Sequence, residues 1–133
     1  MIPKFRAYDG GSLSRMYQPD EVMVGGGNIW IIDEDSVAGD WIVNNDLHLM
    51  QSTGLKDKNG KEIFDGDVLE IEDEGEVLGD AKLTWDNEQA VFMIEAISVD
   101  DIAPFHEIIS DETYSYRVVG NVYENPELLE DKE

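Results

Sequence analysis

Short runs of β-forming residues, cut apart by glycine, asparagine and aspartate, are the feature that most restricts what this chain can become. Gly, Asn and Asp tolerate the positive φ of tight turns, and short Val-, Ile- and aromatic-rich runs between them read as strands. Residues 4–8 and 13–17 flank Asp9-Gly10-Gly11-Ser12, a hairpin signal. Residues 21–24 and 28–32 flank Gly25-Gly26-Gly27, which reads as a second, looser hairpin. Residues 47–52 alternate and are read as a strand. Asp57-Lys58-Asn59-Gly60-Lys61 is a turn whose Asn-Gly pair suits type I′ geometry. Residues 67–72 place Leu69 and Ile71 on one face and Glu70 and Glu72 on the other. Asp73-Glu74-Gly75-Glu76 then turns the chain into a strand over 77–85, and Asp86-Asn87-Glu88 turns it into another over 90–99. Pro104 argues against a long helix through 100–110, and residues 114–123 form a late strand. At the end, Asn125 is placed as an N-cap and Pro126 as the first residue of a short helix, with Glu127 on its positive dipole end. The expected fold class is mostly β with minor α.

Composition sets the class of partner. The 133 residues are 41% hydrophobic, enough for a real core and for one domain. A weak division falls near residue 54, separating an N-terminal lobe over 1–53 from a second lobe over 54–133. The absence of Cys removes disulfides, thiolate metal sites and Cys nucleophiles. The opening Met-Ile-Pro-Lys-Phe-Arg-Ala-Tyr has no apolar signal core, and the longest apolar run, 90–94, is far short of a membrane span, so a cytoplasmic location is expected. Nine Lys and Arg face 31 Asp and Glu, a net charge of −22. Residues 1–60 carry −4 of it and residues 61–133 carry −18. Such a field repels phosphates and anionic lipid, so no direct nucleic-acid or membrane binding is expected.

Three segments resemble a known family. Leu49-Met50-Gln51-Ser52-Thr53-Gly54-Leu55-Lys56-Asp57-Lys58-Asn59-Gly60-Lys61-Glu62-Ile63-Phe64-Asp65-Gly66-Asp67-Val68 is similar to the central signature of the YopX-like proteins of phages and prophages. Lys4-Phe5-Arg6-Ala7-Tyr8-Asp9 and Val119-Gly120-Asn121-Val122-Tyr123-Glu124-Asn125-Pro126-Glu127-Leu128-Leu129 flank it in the right order. The resemblance implies a phage or prophage origin, hence a host-cell cytoplasm, and a mostly β fold with an SH3-like barrel. It implies no reaction and supplies no catalytic residues. Turn residues, Gly-Asp-Val and an alternating strand also look like the opening of such a barrel, where Gly sits at sharp sheet bends. A signature built from turns and glycines reads first as structure.

Few side chains suggest chemistry. His48 and His106 stand in ordinary contexts, and no nucleophile elbow occurs. Asp33, Glu34 and Asp35, or Asp100 and Asp101, offer hard oxygen ligands, but adjacent carboxylates arise by chance in so acidic a chain. Asp57-Lys58-Asn59-Gly60 puts its Gly too early for a calcium loop, and Gly25-Gly26-Gly27-Asn28 runs into a strand rather than a phosphate-binding helix. Glu70, Glu72, Glu74 and Glu76 share one face of an extended chain at about 6.6 Å intervals, near a phosphate repeat, unless the turn at Asp73-Glu74-Gly75 breaks the row. Trp30 is placed in the core. Trp41 and Trp85 border turns, with burial favoured over an interface role. No catalytic residue, metal or cofactor is assigned. The expected function is a non-catalytic module that binds a protein partner or itself, with Glu70, Glu72, Glu74, Glu76 and Trp85 as candidate contacts. The alternatives are an acidic DNA mimic that blocks a host DNA-binding protein and a divalent-metal-dependent hydrolase.

Overall fold

A computed structural model describes residues 4–11, 14–33, 35–97 and 101–129. The chain divides into two compact units, Met1–Ser52 and Thr53–Glu133, each built from antiparallel strands. Among the described residues no helix is long and apolar enough to cross a membrane.

In the first unit, β1 (Phe5–Asp9) pairs with β2 (Arg15–Tyr17), and Ala7 faces Tyr17. Ser12 and Leu13 of this expected hairpin lie outside the described residues. A 3-10 turn, Pro19–Glu21, precedes β3 (Val22–Gly25). Glu21 therefore belongs to the turn and not to the strand: its carboxylate accepts the Gln18 N–H at 3.0 Å and pairs with Arg15 at 2.7 Å. β3 joins β4 (Asn28–Ile32) through Gly26 and Gly27 alone, both at positive φ. The loose hairpin expected here is a tight two-residue turn, whose twist matches that of the strands. An additional strand, β5 (Trp41–Val43), completes the order β3-β4-β5. β6 (His48–Lys56) pairs with the other side of β1 through residues 48–51. Ala7, Tyr17, Val22, Ile31 and Leu47 form the core, with Phe5, Ile29 and Leu49 packed against them. Because Ile31 is buried, alternation turns Trp30 to the opposite face, where it is only half-buried rather than in the core.

The second unit opens with the end of β6 and β7 (Glu62–Phe64), bound where the Thr53 hydroxyl donates to the Ile63 carbonyl at 2.9 Å. Asn59-Gly60 does not form the expected type I′ turn. Asp57 to Gly60 closes a turn with the Gly60 N–H on the Asp57 carbonyl, and only Gly60 takes positive φ. β8 (Asp67–Asp73), β9 (Glu76–Asp86), β10 (Val91–Ala96) and β11 (Ile102–Pro104) follow as a meander. Ala90, at φ 54°, belongs to the turn before β10. Pro104 ends β11 and starts a five-residue helix, α1 (Phe105–Ile109). β12 (Tyr114–Asn121) returns to pair with β8, giving the order β11-β10-β9-β8-β12. The five strands form one antiparallel sheet that curls into a half-barrel. Its core is Ile63, Leu69, Ile71, Ala81, Leu83, Ile94 and Phe105. The final helix is a 3-10 turn, Pro126–Leu129. Asn125 does more than begin it, since its Oδ1 accepts the Asn121 N–H at 3.2 Å and holds the end of β12.

Candidate protein-binding surfaces

The glutamate row resolves into three different situations. Glu70 lies on β8 directly opposite Arg117 of β12, which donates to both its oxygens at 2.8 and 3.2 Å. Glu72 accepts from Lys58 Nζ at 2.9 Å and from the Ser115 hydroxyl at 3.4 Å. The Lys58 hydrogen bond holds the Glu72 carboxyl below its ordinary value. Glu74 and Gly75, both at positive φ, are the two-residue tip of the β8–β9 hairpin, and Glu76 begins the return strand. The expected turn thus breaks the row. Glu70 and Glu72 share a face and are paired with cations, whereas Glu74 and Glu76 are exposed at the tip. Trp85 is half-buried, edge-on to Phe92 at 4.9 Å across β9 and β10.

The signature segment is a set of backbone clasps. Asp57 Oδ1 accepts the N–H groups of Asn59 and Lys61, both at 2.9 Å, and its Oδ2 accepts the Val118 N–H at 2.8 Å. Desolvation pushes this carboxyl up, but those three N–H groups and the Lys61 charge outweigh it and hold it below the ordinary range. Asp67, fully buried, accepts the Phe64 N–H at 2.8 Å. Burial and the neighbouring Asp67 charge raise the Asp65 carboxyl, with the Trp85 backbone N–H acting against them. Asp33 Oδ1 caps its own loop by accepting the Asp35 N–H at 3.0 Å. Glu34 and Asp100 lie outside the described residues. Among the described residues no three His, Cys, Asp or Glu side chains are grouped to hold a metal ion.

The first unit carries a surface of another kind. All three residues of β5 are exposed, Trp41 at 38%, Ile42 at 43% and Val43 at 44%, so the Trp41 burial favoured by the sequence is not found. β5 is also an edge. The Asn44 N–H donates to the Ile29 carbonyl at 2.9 Å and the Asp33 N–H to the Asp40 carbonyl at 2.8 Å. Hydrogen-bonded pairs alternate along an antiparallel ladder, so Ile42 shares the bonded phase with Ile31. Trp41 and Val43 consequently aim their N–H and C=O groups away from β4, toward the open side. Their side chains lie in the cross-strand rows of Ile32 and Trp30, and Trp30 also faces Met23. The result is an apolar sheet face ending in an unprotected edge, with neither Lys nor Pro in β5 to block pairing.

The YopX protein family model matches residues 4–130. The chain belongs to the YopX family. Two solved structures share the fold of this YopX-family chain. Protein yopX from Bacillus subtilis is similar at a TM-score of 0.63 and 20% identity, over 96% of this chain and 98% of that one. Protein EF1440 from Enterococcus faecalis is similar at 0.61 and 29% identity, over 98% and 99%. A comparison with curated proteins finds no match. The YopX family is of uncharacterised function. Sequence reading missed β5 because three residues between polar loops carry no measurable period; the only available signal was the run Trp41-Ile42-Val43 itself.

Proposed function

We propose that this YopX-family protein is a non-catalytic interaction module that joins another chain by strand addition at β5. A second copy is the partner favoured by register. The observation that carries the reading is the exposed, apolar β5 with the backbone groups of Trp41 and Val43 turned outward. Antiparallel pairing of two copies about Ile42 sets Trp41 of one against Val43 of the other, and each such pair exchanges both N–H···O bonds. The same register places Asp40 opposite Asn44, so no carboxylates oppose one another next to the new ladder. The resemblance to phage and prophage proteins supports a role in a phage-infected or lysogenic host cell. Glu70 and Glu72, already paired with Arg117 and Lys58, give less support to nucleic-acid mimicry.

With −22 on each copy, association is weak at low ionic strength and strengthens as salt screens the repulsion. Sedimentation velocity over a wide concentration range tests this. The wild type shifts toward dimer at high salt. Val43→Pro, which deletes an outward N–H and leaves the β4 ladder intact, stays monomeric with an unchanged far-UV spectrum. A wild type that remains monomeric at high concentration and high salt refutes self-pairing.

A further inference from the structure

Independently of β5, the second unit holds an apolar groove of about 290 Å³. Its floor is Ile71 and Ile94, its walls include Ala103 and Tyr114, and Asp80 and Asp101 line it as well. A register shift makes the opening. β8 and β9 pair Ile71 with Gly79 but Glu72 with Val77, so Leu78 is the extra residue of a bulge. Gly79 takes φ +142°, closed to ordinary side chains, and an added Cβ there would meet nothing within 4 Å. Leu78 is thereby turned into solvent at the rim, next to exposed Val77. The hairpin tip with Asp73, Glu74 and Glu76 adjoins it, since Asp73 pairs with Tyr114 and Glu72 with Val77.

We propose that this groove receives one large apolar side chain from a partner segment whose neighbouring residues are Lys or Arg. The volume lies at the small end of ligand pockets, the scale of a side chain rather than a cofactor. The walls supply the apolar contact, and Asp101 and the acidic tip supply the opposite charge for flanking cations. Thr53–Glu133 carries 6 basic and 23 acidic side chains, a field of −17 that draws in a basic segment. The same field disfavours a second copy of this chain as the occupant. Glu74 and Glu76 find their role here, as rim charges beside a groove.

Isothermal titration calorimetry with synthetic pentapeptides tests the proposal. Lys-Lys-Phe-Lys-Lys binds saturably at one site, and Lys-Lys-Gly-Lys-Lys binds at least about tenfold more weakly, the loss of one buried aromatic side chain. Ala103→Phe, which fills the groove, lowers affinity for the Phe peptide about tenfold and leaves the Gly peptide unchanged. Asp101→Lys weakens both; its carboxylate can be altered without touching the backbone, whose carbonyl accepts the Ala96 N–H. Val43→Pro binds the Phe peptide like the wild type, which separates this site from β5. Equal affinity for the Phe and Gly peptides, or no binding of the Phe peptide, overturns the proposal. So does an Asp101→Lys variant that is folded and binds undiminished.

Discussion

Replacing Asp57 by Asn changes one atom of the side chain and breaks the second unit at a predictable cost. Both carboxylate oxygens are in use: Oδ1 takes the Asn59 and Lys61 N–H groups and Oδ2 takes Val118. An amide has one acceptor, so either the turn or β12 faces an NH₂ group donor to donor. Hydrogen bonds to a charged acceptor contribute ~1.5–3 kcal/mol, and a stranded buried donor costs ~1–3 kcal/mol. Asn59 and Lys61 are exposed and regain water, whereas Val118 is half-buried, so the Val118 contact dominates. The expected loss is about 2 kcal/mol for Asp57→Asn and about 3 kcal/mol for Asp57→Ala. In a chain of this length that lowers the thermal midpoint by roughly 6 and 10 °C. Thermal and urea unfolding followed by circular dichroism measure both. The pH dependence supplies an internal check. A depressed carboxylate stabilises fully above its unfolded value and loses that contribution as pH falls through its folded value. The gap between wild type and Asp57→Asn is therefore constant near neutrality and closes below about pH 4. An Asn variant within 0.5 kcal/mol of wild type at pH 7, roughly the scatter of neutral surface substitutions, refutes the clasp.

Three further outcomes follow from particular contacts. An alanine Cβ at Gly120 would stand 2.6 Å from Asn125 Oδ1 and 2.7 Å from Leu128 Cδ1, so Gly120→Ala pushes these side chains aside, takes Asn125 Oδ1 off the Asn121 N–H and costs about 1 kcal/mol in urea unfolding. Asp65→Asn removes a charge that burial and Asp67 disfavour. Because that carboxyl is raised, its ionisation costs stability above the folded value and nothing below the unfolded one; the variant has a higher thermal midpoint at pH 7 and none of that gain in acid. Glu70→Gln loses about 0.5–1 kcal/mol, and a double-mutant cycle with Arg117→Gln returns a coupling of the same size, which shrinks in salt.

The parts legible in the sequence are those set by local backbone chemistry. Glu74-Gly75 marked the β8–β9 turn, and Asn28 to Ile32 marked β4 to the residue. What escaped depended on side or distance. Ile29-Trp30-Ile31 announces a strand but not which parity faces the core, and only Ile31 in the fold decides that Trp30 faces outward. β5 and β7, three residues each, are shorter than any period that could reveal them. Asp57 read as a turn residue, yet its grip on Val118, 61 positions away, is a tertiary fact. The groove was invisible for a similar reason, since it comes from a register shift between β8 and β9 and from α1 and β11 folded beside them. The acidic row was legible as charge and as a broken strand, but its Arg117 and Lys58 partners required the sheet.

Amide hydrogen exchange at individual β5 residues, followed by NMR as protein concentration and salt are raised, addresses strand addition most directly. Trp41 and Val43 amides, turned to the open side, exchange fast in dilute solution and become protected on concentration, while the inward Ile42 amide stays the same. Exchange at Trp41 and Val43 that is indifferent to concentration at every salt level contradicts the account.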